Sequence, residues 1–259
     1  MHTLDKIRFM NGNGIKLLAA ALMLVDHVGF MFFPDLLVLR YIGRAAMPLF
    51  AFMVAEGCRY TKNKVKHFLL MFLLGVACQI VYFIADNGSL YMSILITFSL
   101  SVLAIYALQY FKRCLFGKQF KIADKILSAL MLCAVVFIIW ELNAVHSVNG
   151  SEFEIDYGFW GCMLPVFAAL FDFRNIPVPE KFTKAFAIAD FYYVRLAAFT
   201  VGLALLCAFT SGLNEWYAFF ALIPLALYGE KKGKLPLKYF FYVFYPAHLV
   251  LLYAIDMLV

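Results

Sequence analysis

The sequence predicts an all-α fold, a polytopic membrane bundle of about nine transmembrane helices with its N-terminus in the cytoplasm. Three observations predict it. The 259-residue chain is 65% hydrophobic and only 15% charged, outside the composition of soluble domains. Apolar stretches long enough to cross a bilayer follow one another from end to end. The cationic residues fall in alternate loops, as the positive-inside rule requires.

The first stretch, about residues 14–33, is long, lacks a small-residue cleavage site and is followed by further spans, so it reads as a retained helix rather than a signal peptide. It carries Asp26 and His27 in its middle. A charge near the bilayer centre costs about 2.5–3.5 kcal/mol on insertion scales, so such groups face a protein interior or a watery cavity. Histidine suits general-base chemistry on a hydroxyl or amine. Neighbours on a helix project about 100° apart, so Asp26 would act on His27 through a bend, a water or a second partner. The alternative is a polar pair that only holds helices together. Lys16 stands eleven positions before His27 on the same face, about 16 Å below it. It would meet a phosphate-bearing cytoplasmic donor there or serve as an interface anchor.

The second span, about 41–58, is entered through Arg40-Tyr-Ile-Gly-Arg44. Both arginines stand on the external side and ask for a partner: Asp26, Asp35, Asp156 or an acceptor group. A guanidinium forms paired hydrogen bonds with a carboxylate, a phosphate or a developing oxyanion; the alternative is a structural ion pair. Glu56, near the cytoplasmic end, is expected to pair with Arg59 or Lys16.

Further spans are expected at about 67–85, 91–111, 126–145, 157–173, 193–210 and 214–229. The longest loops, near 112–125, 146–156 and 174–192, are too short to fold alone, so residues 1–259 read as a single membrane domain. External loop 146–156 carries Glu152, Glu154 and Asp156 without a cation, either an acidic mouth for an amine or a solvated loop. Residues 176–195 have the spacing of an amphipathic segment along the inner interface. The last span, about 239–258, holds Tyr245, Pro246 and His248. The proline weakens the helix and releases a carbonyl. His248 stands at the depth of His27, which suggests a shared cavity; the alternative is a histidine satisfied by a neighbouring carbonyl.

The net charge of +6 does not indicate nucleic acid, because 20 of the 22 Lys and Arg residues lie on the cytoplasmic side of this topology. Arg40 and Arg44 are the exceptions. The six cysteines are scattered, with no C-x-x-C pair and no metal-ligand spacing, so they read as packing residues and no metal is expected. There is no G-x-S-x-G elbow, no H-E-x-x-H and no phosphate-binding glycine loop.

Taken together, Lys16-Leu-Leu-Ala-Ala-Ala-Leu-Met-Leu-Val-Asp-His27, Arg40-Tyr-Ile-Gly-Arg44, Pro48-Leu-Phe-Ala-Phe52, Glu56-Gly-Cys-Arg-Tyr-Thr61, Asp156-Tyr-Gly158 and Lys238-Tyr-Phe-Phe-Tyr-Val-Phe-Tyr-Pro-Ala-His248 resemble the TraX family. These are conjugative-transfer proteins associated with N-terminal acetylation of pilin, within a broader superfamily of transmembrane acyltransferases. The resemblance implies that acyl-CoA, in the first place acetyl-CoA, donates from the cytoplasm to an amine or hydroxyl at the external side of a bacterial inner membrane. The acceptor would be a peptide, a protein such as pilin, or an envelope glycan. His27 would take the acceptor proton, Asp26 orient or charge it, Lys16 meet donor phosphates and Arg44 steady the oxyanion. Arg40, Glu56, Asp156, Tyr157, Tyr245 and His248 would line the substrate site.

Two other classes are compatible with the residues. A proton-coupled transporter would use Asp26, His27, Glu56 and His248 as its relay, although no inverted repeat is evident. A membrane scaffold or immunity protein would use the polar pairs structurally and bind no CoA.

Overall fold

The computed structural model describes residues 8–85, 90–148, 151–210 and 213–258. In chain order its elements are α1 (Gly12–Phe32), α2 (Leu37–Gly43), α3 (Ala46–Tyr60), α4 (Lys64–Ala85), β1 (Leu90–Met92), α5 (Ile94–Phe116), α6 (Ile122–Ala144), β2 (Ser147–Val148), β3 (Ser151–Ile155), α7 (Gly158–Ala169), a 3₁₀ turn (Glu180–Phe182), α8 (Thr183–Ala189), α9 (Tyr192–Phe209), a longer 3₁₀ segment (Leu213–Ala221), α10 (Leu222–Ala226) and α11 (Lys238–Asp256).

Among the described residues six helical segments are long and apolar enough to cross a membrane: Gly12–Phe32, Leu37–Tyr60, Lys64–Ile84, Ile94–Phe116, Ile122–Ala144 and Tyr192–Phe209. The protein is an all-α, polytopic integral membrane protein. The expected sixth, eighth and ninth spans coincide with shorter apolar helices, Gly158–Ala169, Glu215–Ala226 and Phe240–Asp256. A helix of 12 residues such as α7 rises about 18 Å, short of the roughly 30 Å hydrocarbon core.

The chain forms two compact units, Met1–Met53 with Cys207–Val259, and Val54–Leu206. In the first, Asn11 caps α1 by accepting from Gly14 N at 3.0 Å. The residues before α1 are pinned to those after α10. Met10 N donates to Leu227 O at 3.0 Å and Gly229 N to Met10 O at 2.8 Å. Arg8 joins Glu230 at 2.8 Å.

Two glycines let α1 and α2 approach each other. A Cβ on Gly29 would fall 2.6 Å from Leu39 Cβ, and one on Gly43 would fall 2.3 Å from Asp26 Cβ. Neither distance is sterically possible, so the close backbone contact that small residues permit between membrane helices depends on both.

In the second unit, β1 pairs parallel to β3 and β2 antiparallel to β3. The expected external loop 146–156 is therefore partly a small sheet; of its residues, Asn149 and Gly150 lie outside the described ones. Ile155 enters a core with Ala104, Ile139, Cys162 and Met163. Ser101 Oγ donates to Cys162 O at 2.7 Å, joining α5 to α7.

Three cations counted as loop charges are buried instead: Arg59, Lys112 and Arg195. Lys112 donates to the carbonyls of Ala169, Leu170 and Asp172 at 2.7–3.1 Å, closing the C-terminal end of α7. The expected loop 112–125 is largely helical, because α5 runs on to Phe116 and α6 starts at Ile122. In the expected interfacial stretch 176–195, only the 7-residue α8 and a 3₁₀ turn precede α9. Arg195 lies in the first turn of α9. Lys6 lies outside the described residues.

Candidate functional site

The first unit gathers the polar residues of α1, α2 and α11 into two clusters. In one, His27 Nδ1 lies 3.0 Å from His248 Nε2. His248 Nδ1 lies 3.0 Å from Phe244 O. A carbonyl can only accept, so His248 Nδ1 carries the proton and its Nε2 carries the lone pair. That lone pair accepts from His27 Nδ1–H, which leaves the lone pair of His27 on Nε2. Hydrogen-bond logic thus selects one tautomer for both rings and presents a single basic nitrogen.

His248 is buried. The Phe244 ring stacks on it at 5.2 Å and Tyr245 meets it edge-on at 5.3 Å. Pro246 lies within the continuous α11, and the carbonyl that serves the histidine is that of Phe244, four residues before it. His248 thus meets both the other histidine and a neighbouring carbonyl.

In the other cluster, Arg40 Nη1 donates to Asp26 Oδ2 at 2.6 Å. Arg44 Nη1 lies 3.2 Å from Glu215 Oε1. Asp26 turns to Arg40 rather than to His27, as the 100° between helical neighbours foretold. Its Oδ1 is buried with no hydrogen-bond partner among the described residues. Stacking of Tyr41 on Tyr217 at 4.4 Å holds α2 against the 3₁₀ segment that carries Glu215.

Glu215 was absent from the sequence-derived set. The available signal was a lone carboxylate at the start of an apolar stretch, matching an arginine at the start of another. Lys16 lies in the same unit with its Nζ over the Phe241 ring at 5.9 Å.

Glu56, Asp156 and Tyr157 belong to the second unit and have partners there. Glu56 forms its ion pair with Arg195 rather than with Arg59; Glu56 and Arg195 are nearly inaccessible. Arg59 instead binds Asp172 and Asp190, each at 2.5 Å. Asp156 accepts from Tyr91 Oη at 2.7 Å, and its carbonyl accepts from Thr97 at 2.9 Å. Tyr157 sits in the left-handed region at φ 59° as the residue before α7. Gly161 makes room for its Cβ, which a substituent there would meet at 2.4 Å. These three residues therefore have evident structural work. Among the described residues no group of His, Cys, Asp and Glu is arranged to hold a metal ion.

Comparison with known proteins matches residues 11–256 to the family model described as TraX protein. Over 253 residues the chain is 24% identical to the probable fimbrial assembly protein FimC, serogroup H1, of Dichelobacter nodosus, covering 94% of each chain. Over 129 residues it is 31% identical to an uncharacterized protein of Rickettsia prowazekii (strain Madrid E), a match that takes in 50% of this chain and 46% of that one. The chain thus spans about half the length of that second relative. No solved structure matches.

Proposed function

The chain belongs to the TraX family, and from that premise we propose that it is a membrane-embedded acyltransferase of the transmembrane acyltransferase superfamily. It moves an acetyl or other acyl group from cytoplasmic acyl-CoA to an amine or hydroxyl at the external face of a bacterial inner membrane. In this reading the three shorter apolar helices complete nine membrane-embedded helices with the N-terminus inside, and residues 1–259 act as one domain in the lipid bilayer. The likeness to a fimbrial assembly protein favours the N-terminus of a pilin-type subunit as acceptor, ahead of an envelope glycan.

The observation that carries the proposal is the chain Phe244 O, His248, His27, which leaves His27 Nε2 as an oriented base. As the acceptor nitrogen or oxygen attacks the thioester carbonyl, its proton passes to His27 Nε2. The imidazolium so formed keeps its Nδ1–H on the lone pair of His248. Arg44, held by Glu215, faces the developing oxyanion. Collapse of the tetrahedral adduct breaks the C–S bond, and the departing thiolate recovers the proton from His27. Asp26, with one oxygen on Arg40 and the other buried without a partner, receives a hydrogen-bond donor of the acceptor. Lys16 meets the donor phosphates.

The transporter reading is the less favoured, because Asp26 and Glu56, carboxylates its relay would need, are each engaged by a guanidinium. The deciding experiment is release of free CoA by the purified protein from acetyl-CoA, with amine-bearing or hydroxyl-bearing acceptors and with His27→Ala in parallel. Release that requires both acceptor and His27 supports acyl transfer. Absence of release together with absence of acetyl-CoA binding overturns it in favour of transport.

A further inference from the structure

A polar pocket of the second unit is unconnected with any role assigned above. It is lined by Arg59, Thr61, Lys64, Gln109, Arg113 and Asn175, together with Asp172. These residues come from the ends of α3 and α5, the start of α4 and the stretch after α7, all in segments that the positive-inside pattern places on one side of the membrane.

The charges around it do not balance. Two carboxylates, Asp172 and Asp190, are both engaged by Arg59. Lys112 is engaged by three backbone carbonyls. Lys64 and Arg113 line the same pocket, and neither has a carboxylate within ion-pair distance among the described residues. Lys64 has its Nζ over the Tyr106 ring at 4.9 Å. The Nε of Arg59, although buried, has no acceptor among the described residues. Lys64 is also the first residue of the 22-residue α4, whose positive end adds to the field.

Lys64 and Arg113 converge on one pocket, with a hydroxyl and carboxamides beside them and the lining carboxylate Asp172 taken up by Arg59, so the pocket carries an excess of positive charge that an anion from outside the chain would balance. Two cations with neutral hydrogen-bond donors suit a tetrahedral oxyanion bearing several acceptor oxygens. We propose that this pocket binds a phosphate group, presented either by a soluble phosphate ester or by an anionic lipid headgroup. The site stands on observations of the second unit alone.

The test uses full-length protein in phosphatidylcholine nanodiscs, titrated with inorganic phosphate and with adenosine 3′,5′-bisphosphate. A second arm compares nanodiscs containing phosphatidic acid with phosphatidylcholine alone, read by thermal stabilisation. Wild type is expected to bind at least one probe, and the double variant Lys64→Gln, Arg113→Gln to bind it about tenfold more weakly or worse. Binding confined to the soluble probes identifies a phosphate ester as the source; stabilisation confined to phosphatidic acid identifies a headgroup. Arg113→Gln alone replaces the double variant if that protein does not fold. His27→Ala, in the first unit, is expected to bind the probe as wild type does, so loss of acyl transfer does not disturb this result. Wild type that responds to no probe, or variants that bind within about twofold of wild type, overturn the proposal.

Discussion

His27 Nδ1 and His248 Nε2 stand 3.0 Å apart although 221 positions separate them in the chain. The contact joins the first long helix to the last, and the carbonyl of Phe244 determines which nitrogen of each ring holds the proton. A substitution in α11 should therefore be felt at His27 without touching it.

Replacing His27 with Ala is expected to lower acyl-transfer turnover by about 10²–10⁴-fold, the usual contribution of a positioned base, while leaving folded protein. His248→Ala should lower it less, and His248→Gln, whose amide oxygen can still accept from His27 Nδ1–H, should recover part of the loss. CoA-release rates on monodisperse protein check this ordering. Equal activity for His248→Ala and wild type would remove His248 from the positioning role.

The Asp26–Arg40 pair should behave as a coupled unit. Removing one member of a buried pair leaves the other uncompensated, at a cost of about 3–5 kcal/mol. Discounted for partial exposure, Asp26→Asn and Arg40→Gln should each lower thermal stability clearly, and the double variant should be less damaged than their sum. A thermal-shift double-mutant cycle gives the coupling directly.

Gly43→Ala places a Cβ 2.3 Å from that of Asp26. We expect about 1–3 kcal/mol of destabilisation from the forced separation of α1 and α2, together with loss of transfer activity, because Arg40 is moved away from Asp26. Gly14→Ala is the control, since a Cβ there meets only Asn11 Oδ1 at 3.8 Å. Chemical denaturation and CoA release on both variants check the contrast.

In the second unit, Arg195→Met should leave Glu56 buried without its partner and cost about 3–5 kcal/mol, whereas Glu56→Met combined with Arg195→Met should recover most of that. Expression yield and melting temperature are the readouts. A single variant as stable as wild type would show that the pair carries no such burden.

The legible part of the candidate site was the part written in one segment at a time. An Asp-His pair inside an apolar run is visible in any window that contains it, and so are two arginines on the wrong side of the charge pattern. Glu215 was not legible as the partner of Arg44, because nothing local distinguishes a carboxylate that crosses to another helix from one that faces water. Arg59, Lys112 and Arg195 were counted as loop cations for the same reason: helix ends and burial differ by a few residues that charge counting does not resolve.

By itself, then, the sequence determined the membrane class, the order of apolar helices and the residue types available for chemistry, since hydropathy and charge act through the bilayer segment by segment. Only the tertiary structure decided which histidine nitrogen is basic, which guanidinium meets which carboxylate, and that Glu56, Asp156 and Tyr157 have structural partners in the second unit. Those outcomes depend on distances of a few ångströms between segments remote in sequence, admitted by contacts such as that of Gly43 on Asp26, and no periodicity along the chain encodes them.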